Sequence, residues 1–183
     1  MKFRLHPLLI FWFIFLFATG QLGFFSAVFI SLLFHELGHL AALKFFGVQD
    51  VRCILYPFGA RIEWDNKASW SRLKKFIVYF AGPLATLALI GILLFIPVPV
   101  PQLFFTIQYM ILLLNLLPFY PLDGGGMVTA LLGGPFQKLY RIYVALMIPV
   151  FGCFALISAL SGWWMVAMVS LILFIENYRY VKS

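Results

Sequence analysis

The sequence predicts an all-α polytopic membrane protein with about six transmembrane helices. Three observations carry that expectation. Of the 183 residues, 64% are hydrophobic and only 10% are charged, whereas a soluble domain carries roughly 25% charged residues. The apolar residues fall in runs with short breaks between them, and at about 20 residues per span there is room for about six. The 13 Lys and Arg exceed the 6 Asp and Glu, giving a net charge of +7, and they are distributed as the positive-inside rule requires. No soluble basic face accompanies this charge, so the expected partner is the lipid bilayer and not nucleic acid.

The elements follow in order. Residues 7–19 form a short first apolar run behind Lys2 and Arg4. It looks like a signal peptide, but with so many spans after it the run is expected to be retained. Residues 24–46 form the second helix, and a polar stretch, 47–75, follows. The third helix covers 76–96 and ends at the proline-rich turn 97–101. The fourth covers 103–117 and is broken by Pro118 and Pro121. The fifth and sixth cover 140–159 and 163–175. Cys53 and Cys153 fall in a loop and an apolar helix and are expected to be free thiols. With the N-terminus in the cytosol, all 13 basic residues lie on the cytosolic side, including Lys44, Arg52, Arg61, Lys138, Arg141, Arg179 and Lys182. The turns around Gln21, Pro99 and Gly162 carry no charge. Both termini are therefore expected in the cytosol.

The second helix contains His35-Glu36-Leu37-Gly38-His39. Histidines at i and i+4 share one helix face and can bind one zinc ion, with Glu36 beside the first as general base toward a water that the metal acidifies. A chance match is weak in a soluble protein. Here, one acid and two imidazoles lie within five residues of an apolar helix, where each ionisable group costs about 2.5–3.5 kcal/mol. At 1.5 Å per residue the pair sits about 10–16 Å below the cytosolic helix end, so water must come from that side.

A third ligand should be a polar residue in an apolar setting. Asp50, Glu63 and Asp65 fall in the polar stretch and Glu176 near the last helix end, which leaves Asp123 in Pro121-Leu122-Asp123-Gly124-Gly125. The glycines are read as freeing the backbone there. A helix N-cap is the plainer role for Asp123. His6, before Pro7, reads as an interfacial residue.

Together these motifs resemble the site-2 protease family of intramembrane zinc metalloproteases. The resemblance rests on His-Glu-Leu-Gly-His in one span and Pro-Leu-Asp-Gly-Gly in a later one. Ala81-Gly82-Pro83-Leu84 is similar to the family's small-residue motif, and Tyr56-Pro57-Phe58-Gly59-Ala60 to its membrane-associated hairpin after the second helix. The resemblance implies zinc held by His35, His39 and Asp123, with Glu36 as catalytic base. It implies a role for Asn115 in binding substrate backbone or stabilising the oxyanion, against the plainer role of an interhelical hydrogen bond. It also implies that Phe58 and Gly59 lie in a loop gating substrate access. Where many members carry Asn after the Ala-Gly-Pro motif, this chain has Thr86. The implied partners are a membrane-tethered protein substrate, a pro-sigma factor if the sporulation-type members are the guide, and membrane regulatory proteins. The implied location is the bacterial cytoplasmic or forespore membrane. Residues 1–183 are expected to form one transmembrane protease domain without nucleotide-sensing or peptide-binding accessory domains. The alternative is a metal-binding membrane protein without hydrolysis, either a transporter or a degenerate protease.

Overall fold

The computed structural model describes residues 2–5, 7–20, 22–56, 59–64, 70–95, 102–132 and 135–182. Contacts divide the chain into two compact units, Met1–Asn115 and Leu116–Ser183.

The first unit contains α1 (Leu8–Ala18), α2 (Leu22–Phe45), α3 (Arg72–Phe95) and all of α4 (Gln102–Leu116) except its last residue. It also contains a small sheet, which the all-α class did not include, although a hairpin was expected after the second helix. β1 (Lys2–Leu5) runs parallel to β2 (Val51–Tyr56), and β2 pairs antiparallel with β3 (Gly59–Trp64), with Val51 opposite Trp64 and Tyr56 opposite Gly59. An expected loop thus contains an antiparallel pair, and the fold is helical with a three-stranded sheet added. Pro57 and Phe58 lie outside the described residues, as does His6.

α2 ends where Gly47 takes φ +75°. The Gly47 and Val48 amides then donate to the Lys44 and Leu43 carbonyls, a closure that needs a left-handed residue. Beyond it the chain turns into β2. Leu40, Leu43, Val51, Cys53 and Val78 form the buried cluster joining α2, the sheet and α3.

α2 and α3 approach closely because their facing residues are small. A Cβ at Gly38 would overlap the Ala81 carbonyl oxygen and lie 2.7 Å from the Ala85 methyl. Small residues of this kind let membrane helices pack backbone to backbone.

The second unit contains α5 (Asp123–Leu131), α6 (Pro135–Leu160) and α7 (Trp164–Lys182), with α6 and α7 packed together as a hairpin. Its turn repeats the closure seen at Gly47, with Gly162 at φ +77°. α5 corrects the sequence reading. Gly124 and Gly125 are helical, and they are glycines because the preceding loop leaves no room for a side chain. A Cβ at Gly124 would overlap the Leu116 and Leu117 carbonyls, and one at Gly125 would lie 2.5 Å from the Phe119 oxygen.

Among the described residues three helices, Leu22–Phe45, Arg72–Phe95 and Phe136–Leu160, are long and apolar enough to cross a membrane. α1 and α4, with 11 and 15 residues, are apolar but shorter than the roughly 20 residues of a full span. Large apolar side chains such as Phe17, Phe45, Phe95, Leu160 and Trp164 are exposed, an arrangement suited to lipid.

Candidate metal centre

The histidine pair is built entirely within the first unit. His35 and His39 lie one turn apart on α2 and are 2% and 7% exposed. Their Nε2 atoms are 3.3 Å apart. The other ring nitrogens are held by α3, with His39 Nδ1 2.7 Å from the Val78 carbonyl oxygen and His35 Nδ1 2.9 Å from Thr86 Oγ1.

These partners fix the tautomers. A carbonyl can only accept, so His39 carries its proton on Nδ1. The Thr86 hydroxyl donates to the Gly82 carbonyl at 3.3 Å, so toward His35 it accepts, and His35 also carries its proton on Nδ1. Both Nε2 lone pairs therefore converge on one point. Metal-ligating histidines are held this way, with the far N–H tied to an oxygen that sets ring angle and basicity.

Gly82 provides the space. A Cβ on it would overlap His39 Nε2 and lie 2.6 Å from His35 Nε2. The Ala-Gly-Pro motif is thus a cradle for two imidazoles, and the nitrogen donors it leaves suit zinc.

Glu36, half-buried, follows His35 on α2. Its charge is felt on the sheet. Burial pushes the Cys53 thiol above its ordinary value, and the Glu36 carboxylate adds to the effect. One turn before His35 lies a second buried polar pair. The Gln108 amide of α4 donates to Ser31 Oγ at 2.5 Å, and Ser31 donates to the Ala27 carbonyl at 2.7 Å.

Asn115, half-buried near the end of α4, donates to the Ile111 carbonyl of its own helix at 3.0 Å. That bond is not the interhelical one considered as its plainer role. Asp123 belongs to the second unit. It is the first residue of α5, while the N-cap position is taken by Leu122, so the N-cap role is not its own. A carboxylate in the first helical turn is stabilised by the positive end of the helix dipole. Gly59 begins β3, while Phe58 lies outside the described residues.

Two contributors escaped the sequence reading. Thr86 stood out only as a departure from a motif, yet it is the oxygen that holds His35. A polar residue in an apolar helix, three positions after Pro83, was the available signal. Val78 acts through its carbonyl and leaves no signal in its side chain.

Comparison with known proteins identifies relatives of this chain. Residues 23–102 match the family model described as Peptidase family M50. Stage IV sporulation protein FB of Bacillus subtilis is 30% identical over 195 residues, covering 98% of this chain and 67% of that protein. A zinc metalloprotease of Methanocaldococcus jannaschii is 31% identical over 134 residues, covering 66% of this chain and 38% of that protein. Among solved structures, the site-2 protease from Methanocaldococcus jannaschii superposes with a TM-score of 0.70 at 23% identity. The match covers 97% of this chain and 89% of that one, and it concerns the fold.

Proposed function

We propose that this chain, which belongs to peptidase family M50, the site-2 protease family of intramembrane zinc metalloproteases, hydrolyses a peptide bond in or near a membrane-associated segment of another protein. The observation that carries the reading is the convergence of two imidazole lone pairs, each fixed by a partner on its far nitrogen and fitted around Gly82. A structural pair would also bond its far nitrogens, but two acceptor nitrogens 3.3 Å apart repel each other unless a cation lies between them.

The proposed metal ligands are His35, His39 and Asp123, each of which offers one ligand atom. Zinc bound there supplies Lewis acidity, which makes a water nucleophilic near neutral pH. Glu36 takes the proton from the attacking water and passes it to the leaving amine. Val78 and Thr86 hold the ring angles throughout. Asn115 is proposed to bind substrate backbone with its carboxamide oxygen, since its amide donates to Ile111. Phe58 and Gly59 are proposed as part of the segment through which substrate reaches the site.

The finer proposals extend this reading. The six apolar segments are taken as six spans forming one protease domain over 1–183, with both termini and the site opening on the cytosolic side, as the one-sided basic residues suggest. The sporulation protein among its relatives supports a membrane-tethered pro-sigma factor as substrate, the forespore membrane as one location and membrane proteins as regulators.

A metal transporter would need the ligands without the base. Co-expression with single-span candidate substrates separates the two readings. Wild type is expected to release a soluble fragment, while Glu36→Gln binds zinc and releases the fragment at least about 10²-fold more slowly. Cleavage by Glu36→Gln at the wild-type rate refutes the assigned base. Metal transport by both forms without cleavage refutes the protease reading.

A further inference from the structure

The loop that delivers Asp123 is held by two buried side chains from α6 and α7. Leu116 ends α4 and Asp123 begins α5, and the intervening carbonyls of Pro118 and Tyr120 face donors from the α6–α7 hairpin. Tyr140 of α6 donates its hydroxyl to the Pro118 oxygen at 3.1 Å. Asn177 of α7 donates to the Tyr120 oxygen at 2.6 Å and to the Leu173 oxygen at 2.7 Å.

The rings continue the grip. Phe119 stacks on Tyr143, with centroids 5.6 Å apart, and meets Phe151 edge-on at 4.8 Å. Tyr120 stacks on Tyr180 at 5.3 Å, and Tyr180 meets Tyr140 edge-on. Within the loop the Leu122 amide donates to the Phe119 oxygen at 2.9 Å. The glycines at 124 and 125 then seat the start of α5 against the Leu116, Leu117 and Phe119 carbonyls.

Asn177 is 0% exposed. Its Oδ1 has no hydrogen-bond partner among the described residues. A buried acceptor left that way is unfavourable, and an apolar residue of similar size would avoid it. What an apolar residue cannot do is hold the Tyr120 peptide, three residues ahead of Asp123. Ligand distances in metal sites fall within about 0.2 Å of their standard values, and a loop between two helix ends does not supply that precision alone.

We infer that Asn177 and Tyr140 are positioning residues for Asp123, fixing the loop from the α6–α7 hairpin so that the carboxylate is preset for the metal. This rests on the reading of Asp123 as a ligand. The link also makes α6 and α7 determinants of metal affinity, although neither supplies a ligand.

The test uses the full chain in lipid nanodiscs. Zinc affinity is read by chelator competition, site geometry by the visible absorption of the cobalt(II)-substituted protein, and fold by the melting temperature of the metal-free protein. Asn177→Leu removes both donors. Tyr140→Phe removes one hydroxyl and keeps every ring contact, so it decides the matter if Asn177→Leu does not fold. Each variant is expected to weaken zinc binding about tenfold or more and to change the cobalt spectrum, with the metal-free melting temperature of Tyr140→Phe near wild type. Asp123→Asn serves as the reference. If Asp123→Asn loses affinity while a clamp variant keeps wild-type affinity and spectrum, that residue is not a positioning residue, even if its melting temperature falls. If Asp123→Asn itself keeps both, the ligand reading is wrong and the clamp falls with it.

Discussion

Gly82→Ala adds one methyl group at the point where the two imidazoles meet. That methyl would lie 2.6 Å from His35 Nε2 and closer still to His39 Nε2, whereas ordinary contact begins at 3.4 Å. The obstruction cannot be absorbed by a flexible chain end, because Thr86 and Val78 hold both rings from behind. The rings must therefore retreat by about 1 Å, several times the roughly 0.2 Å spread of ordinary ligand distances. Zinc affinity is expected to fall by more than ~10²-fold, beyond the 10–100-fold typical of losing an outer partner. Zinc per chain in purified protein, followed by chelator titration, measures it. Gly91→Ala is the control. It lies on the same helix with nothing within 4 Å of the added carbon, and it is expected to bind zinc as wild type does. If Gly82→Ala retains one zinc per chain at wild-type affinity, the cradle is misread.

Other outcomes follow from the same geometry. Thr86→Val removes the oxygen holding His35 Nδ1 and is expected to weaken zinc about 10–100-fold, while Thr86→Ser restores it in the same titration. Glu36→Gln should keep zinc and lower cleavage of a tethered substrate by about 10²–10⁴-fold, the usual contribution of a general base. The raised Cys53 thiol should alkylate slowly at pH 8 in a Cys153→Ser background. Because a nearby negative charge disfavours the thiolate, Glu36→Gln should speed that reaction by lowering the thiol pKa. Gln108→Leu removes a buried amide whose Oε1 has no partner among the described residues. Its melting temperature should change little, as one hydrogen bond gained in the fold and one unpaired buried acceptor offset each other at about 1 kcal/mol each.

The chemistry of this chain is written locally and its supports are not. His35, Glu36 and His39 sit within five residues of one helix, so their shared face follows from the helical period. The breaks at Pro118 and Pro121 were legible for the same reason, and α4 ends at Leu116. β1 was missed because its partner β2 lies 50 residues away, and four alternating residues in front of an apolar run look like the flank of a membrane helix. α5 was missed because three consecutive glycines are poor helix formers. For Gly124 and Gly125 the reason is the crowding by the Leu116, Leu117 and Phe119 carbonyls, which no local pattern encodes. Asn177 was likewise invisible as a support, because its partner is the backbone oxygen of Tyr120.

The proposed zinc ligands are the imidazoles of His35 and His39 and the Asp123 carboxylate. Zinc-edge X-ray absorption of the reconstituted chain tests this assignment most directly. The expected first shell has two imidazole nitrogens at about 2.0–2.1 Å with oxygen completing the coordination. A sulfur at about 2.3 Å, bringing Cys53 into the site, or a shell with fewer than two imidazoles, would contradict it.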